Sequence, residues 1–278
     1  MFASLRILAV LSLIGLASCK PSPADRVKAK ALAKSAYSTL ENRPFEMDSV
    51  NVAIRQLATA STLSPDESWV HIGLGQLALT RGHDAGSWYK MKRYDPAAVE
   101  VARTEAAKAL AADSAEPQAW CFSALLHILD KRWDLVQSEV NRAYLLDTSA
   151  FKPYHLRAVT YRLLKQYDKS RQFYKLADCH AVEIEQKKQV LQGLSEVAKG
   201  LGDYAEQLRL LMQVVENDPT NGWAIGLVAE WYMAQKRYPE AVQWWEKTVA
   251  IAPFPRAVDQ LAKAREAVKT GVAIAPDE

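Results

Sequence analysis

This sequence of 278 residues has few glycines and cysteines and a small net charge. It has 11 glycines and 3 cysteines, and 35 basic residues nearly balance 32 acidic ones, leaving a net charge of +3. So small a charge argues against a nucleic-acid-binding surface. Beyond one apolar run near its start, no segment approaches the length of a membrane span. No stretch alternates apolar and polar residues as a half-buried β-strand does, so the pattern favours an all-α protein.

The common motifs of enzyme active sites are missing as well. The sequence has no phosphate-binding loop, no G-x-G-x-x-G, no H-E-x-x-H and no G-x-S-x-G. Cys179 and His180 are adjacent, but no second pair of residues has the spacing of metal ligands. His71, His127 and His155 stand at helical positions that favour packed or solvated side chains. We therefore predict no metal, no cofactor and no catalytic residue.

An internal repeat of about 34 residues organises most of the chain. Four aromatic residues occupy one position of this repeat at spacings of 34, 37 and 34 residues, namely Trp133, Tyr167, Tyr204 and Tyr238. Nine residues before each lies a small side chain, at Ala124, Ala158, Ser195 and Ala229, and Gly73 fills the same position earlier. Small side chains at a fixed position let two helices approach closely. A fixed period of this length is typical of stacked helix pairs.

These residues resemble the tetratricopeptide repeat, whose signature is W-x2-L-G-x2-Y followed by a small residue, an aromatic residue and a proline. The segment from Trp69 to Gly73 matches the opening of that signature, and Tyr232, Ala241 and Pro253 match its later part. The resemblance implies an all-α tetratricopeptide solenoid of about six helix-turn-helix repeats. It would span residues 24–255, with a first, irregular repeat, because terminal repeats lack a neighbour on one side.

A capping helix is expected over residues 256–270, followed by a disordered tail over 271–278. We expect the inner face of that helix to carry five residues at helical spacing: Val258, Leu261, Ala262, Arg265 and Val268. In the repeat register Cys121 lies on an inner helix and Cys179 on an outer helix one repeat later. Their Cα atoms would then exceed the roughly 7 Å that a disulfide allows, so both are predicted to be free thiols.

The second repeat is interrupted by an insert near residues 83–95 that is both basic and aromatic. It contains Trp88, Tyr89, Arg93 and Tyr94. Insertions in repeat proteins form loops on one face, often the binding face. Two interpretations stay open for these residues: a binding loop, which includes self-association through the insert, or a loop whose aromatic side chains pack on the protein's own helices.

Residues 1–18 have the pattern of a bacterial lipoprotein signal peptide. A short positive start precedes a mostly apolar run of ten residues, Ile7 to Leu16. The run leads into Leu16-Ala17-Ser18-Cys19, which resembles the lipobox, so Cys19 is the expected lipidation site and 19–23 a lipidated linker, with palmitate among the acyl chains. An ordinary secretory signal with a chance cysteine is the alternative. By family resemblance, Lys20 after the cysteine disfavours inner-membrane retention and favours the outer membrane, facing the periplasm.

The resemblance also implies a binding groove on the first helix of each pair. In this repeat the groove positions are typically the second, fifth, ninth and twelfth of each unit. Their polar, aromatic and methionine members here are Gln118, Lys152, His155, Arg162, Gln189, Gln192, Glu196, Lys199, Trp223, Glu230 and Met233, with Cys121 beside them. A mixed-charge surface of this kind suits an extended peptide or a helix better than a small molecule.

The functional expectation is therefore a membrane-anchored, non-enzymatic adaptor for proteins of the bacterial cell envelope. Two lipoprotein families of similar architecture fit: the pilotins of type IV pili, and adaptors that dock peptidoglycan enzymes and proteases. An enzyme on a helical scaffold is the alternative from another class, and it predicts titratable groups converging in one pocket.

Overall fold

The computed structural model describes residues 20–42, 47–82, 94–251 and 253–271. These residues form thirteen α-helices and no β-strand. The helices are α1 (Pro23–Asn42), α2 (Met47–Leu63), α3 (Ser68–Arg81), α4 (Pro96–Ala112), α5 (Pro117–Leu129), α6 (Trp133–Leu146), α7 (Phe151–Leu163), α8 (Tyr167–His180), α9 (Ile184–Gly200), α10 (Tyr204–Asn217), α11 (Gly222–Ala234), α12 (Tyr238–Ile251) and α13 (Pro255–Thr270). Six pairs and a final helix confirm the predicted architecture.

The turn inside four of the pairs repeats one backbone geometry. The residue two before each repeat aromatic is left-handed: φ is 59° at Lys131, 57° at Lys165, 75° at Gly202 and 58° at Lys236. At the last of these turns the N–H of Lys236 donates to Met233 O (3.0 Å), and the next N–H donates to Tyr232 O (2.9 Å). This bond pair ends a helix in a Schellman motif. The aromatic then becomes the first residue of the second helix, which explains the spacing seen in the sequence.

The turns between pairs use aspartate. Asp113, Asp147 and Asp218 follow the last residues of α4, α6 and α10, and each Oδ1 accepts a hydrogen bond from the N–H two residues on, at 2.9, 2.9 and 3.2 Å. Such turns satisfy backbone donors locally and let the chain reverse. The connection from α8 to α9 differs, because α9 has 17 residues where α5, α7 and α11 have 13. Helix α9 is thus four residues longer, and its connection to α8 is one residue shorter than those before α7 and α11, which accounts for the spacing of 37 residues from Tyr167 to Tyr204.

The core consists of successive clusters between neighbouring helices. Helices pack with their partner in the pair and with the next pair in chain order, so no single large core is needed. The small repeat position lies at the centre of each contact: Ala124, Ala158 and Ala229 are 0% exposed and Ser195 is 1% exposed. At Gly73 a β-carbon would overlap a methyl group of Leu57. The predicted close approach of helices is confirmed.

Helix α1 departs from this nearest-neighbour rule. It packs on α2 and α3, but it also reaches the first turns of α5 and α7. Its buried face combines Ala29, Ala33 and Ala36, all at 0% exposure, with the larger Tyr37 and Leu40. The sequence predicted an irregular first repeat, but it did not predict that α1 contacts α5 and α7.

The predicted inner face of the capping helix is wrong for most of its residues. Val258 and Val268 are each 48% exposed, and Ala262 and Arg265 are also exposed. The buried residues are Ala257, Gln260, Leu261, Ala264 and Ala267. Alanines form most of the contact, because they let α13 lie close to α12, and larger apolar residues beside them stay at the surface.

Several sequence predictions lie outside the described residues. The signal peptide with Cys19, the insert residues Trp88, Tyr89 and Arg93, and residues 272–278 belong to this group. Tyr94 is described: it packs against the cluster that contains Ile72 and Phe122, and burial raises the pKa of its phenol. For Tyr94, therefore, packing on the protein's own helices is what the structure shows.

Among the helices described, none combines the length and apolar content needed to span a bilayer.

Candidate protein-binding surface

The second position of four repeats forms a row along the inner helices. We call Gln118, Lys152, Gln189 and Trp223 the entrance row; they belong to α5, α7, α9 and α11. All four side chains are partly exposed. The row marks the edge of the predicted groove where the inner helices begin.

Helix α1 engages the first two members of the entrance row. Gln118 Nε2 donates to the Tyr37 hydroxyl at 2.9 Å, and Lys152 Nζ forms an ion pair with Glu41. About two turns before Tyr37 in α1, Lys30 Nζ donates to Glu116 Oε2 at 3.0 Å. Two residues predicted to bind a partner are thus already bound by the chain's own first helix.

The deeper groove positions near α1 are packed rather than open. Cys121 is 1% exposed, and burial raises the pKa of its thiol to about 12. His155 stacks on Phe151 with ring centroids 5.2 Å apart and meets the edge of Tyr174 at 5.8 Å. Burial first, and then the positive charges of Lys152 and Arg162, lower the pKa of His155 to about 3. At neutral pH the imidazole is neutral and the thiol protonated, so neither is poised for acid–base or nucleophilic work.

Farther along, two groove positions form an ion pair between neighbouring repeats. Arg162 of α7 pairs with Glu196 of α9. Gln192 and Lys199 lie on the same helix as Glu196, and Lys199 is exposed. This part of the surface is polar and of mixed charge, as the sequence predicted.

The last groove positions lie on α11 beside the capping helix. Glu230 Oε1 lies 3.2 Å from the guanidinium of Arg256 on α13. Met233 packs against the cluster that contains Ala229 and Trp245. Trp223 is partly exposed at the entrance of this helix. The C-terminal half of the surface therefore carries the aromatic and methionine side chains expected there.

A cleft of about 330 Å³ lies where the end of α1 meets the starts of α7 and α9. Tyr37 and Asn42 line it from α1, Phe151 from α7, and Gln186 and Gln189 from α9. Gln118 and Lys152 also line it, so the cleft brings three members of the entrance row together beside the last turns of α1.

Two free thiols are present in the described chain, buried Cys121 and exposed Cys179. The prediction that they do not pair is confirmed. No group of three or more histidine, cysteine, aspartate or glutamate side chains within the described residues could hold a metal ion.

One cluster combines a serine, a histidine and a glutamate. Ser123 Oγ donates to Glu139 Oε1 at 2.8 Å, and His127 Nε2 lies 3.5 Å from that same oxygen. Burial raises the pKa of Glu139. A nucleophile needs its base within hydrogen-bond reach, with the acid behind the base. Here the serine and the histidine both face the carboxylate, so this cluster does not have the arrangement of a catalytic triad.

Sequence reasoning missed the path of α1. Its contacts join residues 81 and 111 positions apart, whereas the repeat pattern relates residues about 34 apart. No sequence motif around Tyr37 or Glu41 indicates that they contact Gln118 and Lys152.

Comparisons with known proteins agree with this fold. A family model described as tetratricopeptide repeat matches residues 151–178, and no curated protein matches the sequence. A chain of the APC/C hetero-tetramer Cut9–Hcn1 superimposes with a TM-score of 0.62 at 14% identity, covering 85% of this chain and 46% of that one. This chain thus spans less than half of the Cut9–Hcn1 chain.

Two other solved structures are also similar. Pseudomonas aeruginosa PilF has a TM-score of 0.54 at 12% identity, with 86% of this chain and 98% of that one covered. PilW, described as a type IV pilus biogenesis factor, has a TM-score of 0.56 at 14% identity, with 73% and 89% covered. At such low identities these matches establish the fold alone: the chain is an all-α tetratricopeptide solenoid.

Proposed function

We propose that this protein is a lipid-anchored adaptor of the bacterial cell envelope that binds a partner protein along the C-terminal half of its inner face. The observation that carries the proposal is the division of the entrance row. Its first two residues, Gln118 and Lys152, are held by α1, whereas no hydrogen bond or ion pair among the described residues joins α1 to Gln189 or Trp223. A partner would therefore contact α9, α11 and the polar residues between them, such as Gln192 and Lys199.

The chemistry of this half-surface favours a protein ligand. It offers amide, charged, aromatic and methionine side chains spread along two neighbouring helices rather than converging on one point. Interfaces with proteins use a few buried aromatic anchors surrounded by polar contacts, and Trp223 and Met233 are suitable anchors. Small-molecule sites are enclosed and mostly apolar.

The membrane anchor is supported by the sequence of the first nineteen residues. An apolar core followed by Leu16-Ala17-Ser18-Cys19 favours lipidation of the cysteine. Two or more acyl chains hold a protein on a membrane stably, and one does not. Replacing Cys19 by alanine should move the protein from the membrane to the soluble fraction. Retention of the variant in membranes, extracted only by detergent, would contradict the anchor.

For the cellular process, we favour assembly of an outer-membrane pilus or secretion complex over docking of peptidoglycan enzymes or proteases. The likeness in fold to PilF and PilW supports this preference. Deleting the gene and scoring secretin multimers against the levels of cell-wall hydrolases separates the two. Loss of multimers with normal hydrolases is the expected result, the reverse pattern supports the alternative, and no change in either rejects both.

A further inference from the structure

We propose that the start of α1 lies on the membrane surface and binds anionic phospholipid headgroups there. The residues that make this contact are Lys20, Arg26, Val27 and Lys28, which we call the basic face. The inference rests on the proposed anchor at Cys19 and adds a second membrane contact, made by the folded chain itself. It does not depend on any ligand of the inner face.

Helix α1 carries basic residues without acidic ones over most of its length. Residues 26–40 include four basic side chains and no aspartate or glutamate. Three of the four, Arg26, Lys30 and Lys34, follow one another at intervals of four residues, a spacing at which like charges destabilise a helix. Helix α13, by contrast, mixes its basic residues with Asp259 and Glu266. The acid-free run in α1 favours an anionic partner.

Two of these basic side chains are used inside the protein. Lys30 Nζ donates to Glu116 Oε2 at 3.0 Å, and Lys34 Nζ lies 4.8 Å from the centroid of the Trp69 ring. Trp69 Nε1 donates to the same Glu116 oxygen at 2.7 Å. These contacts attach one side of α1 to α3 and to the start of α5, so Lys30 and Lys34 are not part of the basic face.

The basic residues nearest the start of the helix have no such contacts. Lys20, Arg26 and Lys28 are exposed, and none of them forms an ion pair with a carboxylate in the part of the chain that the structure describes. The acidic residue of the first turn, Asp25, accepts a hydrogen bond from the Ser22 hydroxyl at 2.6 Å, as in a helix cap. Three cations therefore remain available to an anionic surface.

An apolar strip lies between these cations. Val27 is 71% exposed, and Arg26 and Lys28 flank it on opposite sides of the helix. Ala24 and Ala31, three residues before Val27 and four after it, are also exposed and lie on the same side. Helices that lie in a membrane surface have an apolar strip bordered by basic residues. A lipid surface therefore fits this face better than a carboxylate of a partner protein.

The proposed anchor holds this face close to the membrane. From Cys19 to Pro23 the chain extends at most about 14 Å, and Val27 lies about 6 Å farther along the helix. The headgroups around the anchor are thus at high effective concentration for the basic face. The other end of α1 contacts α5 and α7 through Tyr37 and Glu41. A membrane contact at its start therefore fixes how the inner face is oriented above the membrane.

The test places an environment-sensitive fluorophore on Ala31→Cys in the lipidated full chain. A Cys179→Ser background limits labelling to this site, because Cys179 is exposed and Cys121 is buried. The protein is reconstituted in vesicles of phosphatidylcholine alone or of phosphatidylcholine with phosphatidylglycerol. We expect the fluorescence to rise only with phosphatidylglycerol and to return to its starting value in high salt. The same label on Ala262→Cys, an exposed alanine of α13, should respond to neither vesicle.

Charge-removing variants test which cations act. One basic residue near an anionic surface contributes about a fivefold change in the ratio of docked to undocked helix, so Arg26→Gln with Lys28→Gln should lower this ratio about 25-fold. Arg142→Gln with Lys175→Gln, at exposed residues of α6 and α8, removes the same charge and should change the ratio by less than twofold. Circular dichroism establishes that each variant is folded.

Three results overturn the proposal while the anchor stands. They are flotation of the protein with both vesicles but no rise in fluorescence, an equal rise with both vesicles, and an equal loss in the two double variants. Failure to float with either vesicle overturns the anchor and this inference with it. The adaptor role is tested separately, by crosslinking at the inner face, and can stand in every one of these cases.

Discussion

Glu41 at the end of α1 and Lys152 at the start of α7 form an ion pair across 111 residues of sequence. In a stack of helix pairs each pair normally touches only its neighbours, yet this contact joins the first pair to the fourth. Both side chains are mostly buried, with 26% and 15% exposed. Through this contact α1 covers the starts of α5 and α7 on the inner face.

The first prediction concerns that ion pair. Lys152→Gln leaves the Glu41 carboxylate half-buried without its cation, which should lower the free energy of unfolding by about 1 kcal/mol. The loss should be local, so hydrogen exchange should accelerate in α1 more than in α11. Lys199→Gln, at an exposed lysine, is the control and should change neither quantity. Unchanged exchange in α1 would show that the pair does not hold the helix.

The second prediction tests the left-handed turns. Gly202 has φ of 75° and Lys236 has φ of 58° at equivalent positions. A residue with a β-carbon is strained in this conformation by roughly 1 kcal/mol. Gly202→Ala should therefore destabilise the chain by about 1 kcal/mol, and Lys236→Gly should stabilise it by a few tenths of a kcal/mol or more. Urea denaturation measures the free energy of unfolding of both variants. Changes of the same sign would contradict the left-handed backbone conformation at these two positions.

The third prediction concerns helix packing at Gly193. A β-carbon there would overlap the ring of Tyr174, which is 1% exposed and has no room to retreat. Gly193→Ala should destabilise the protein by about 1–3 kcal/mol, the usual cost of overpacking a core. The double variant Gly193→Ala, Tyr174→Leu should destabilise by less than the sum of its two single variants, because the smaller side chain removes the overlap. Simple additivity in urea denaturation would indicate that the glycine is there for another reason.

The fourth prediction is a pH dependence that originates at His155. The pKa of His155 in the folded state is about 3, below the ordinary value of 6.5. Between these two pH values the imidazole is protonated in the unfolded chain and neutral in the folded chain. The stability should therefore fall as the pH drops through about 6.5, and the loss from this residue should end near pH 3. Between pH 7 and pH 4.5 it should be on the order of 2 kcal/mol. His155→Phe should reduce this slope in urea denaturation at several pH values; an unchanged slope would exclude His155 as its source.

The repeating features of the structure could be predicted from the sequence, whereas most of the features that interrupt the repeat could not. The aromatic positions predicted the start of each second helix, and the small positions predicted where helices touch, because these features recur about every 34 residues. The capping helix was placed correctly but its inner face was not. Alanines such as Ala257 and Ala264 form that contact, and alanine carries too little hydrophobicity to mark a face by itself.

The groove residues stay a prediction, and no repeat motif predicted that α1 contacts two of them. Gln118 and Lys152 look like free groove residues in the repeat pattern. Their contacts depend on how α1 packs against the other helices through buried residues such as Ala29, Ala33 and Ala36, and no motif encodes that packing. Long-range contacts of a terminal helix have no periodic signature.

Photo-crosslinking in the cell tests the central claim, that the inner face is the docking surface, most directly. A photoreactive phenylalanine derivative at Gln192 samples the half of the groove beyond α1, and the same group at the exposed residue Gln172 on α8 samples an outer helix. We predict a discrete crosslinked adduct from position 192 and none from position 172. Adducts of equal yield from both positions, or from position 172 alone, would contradict it.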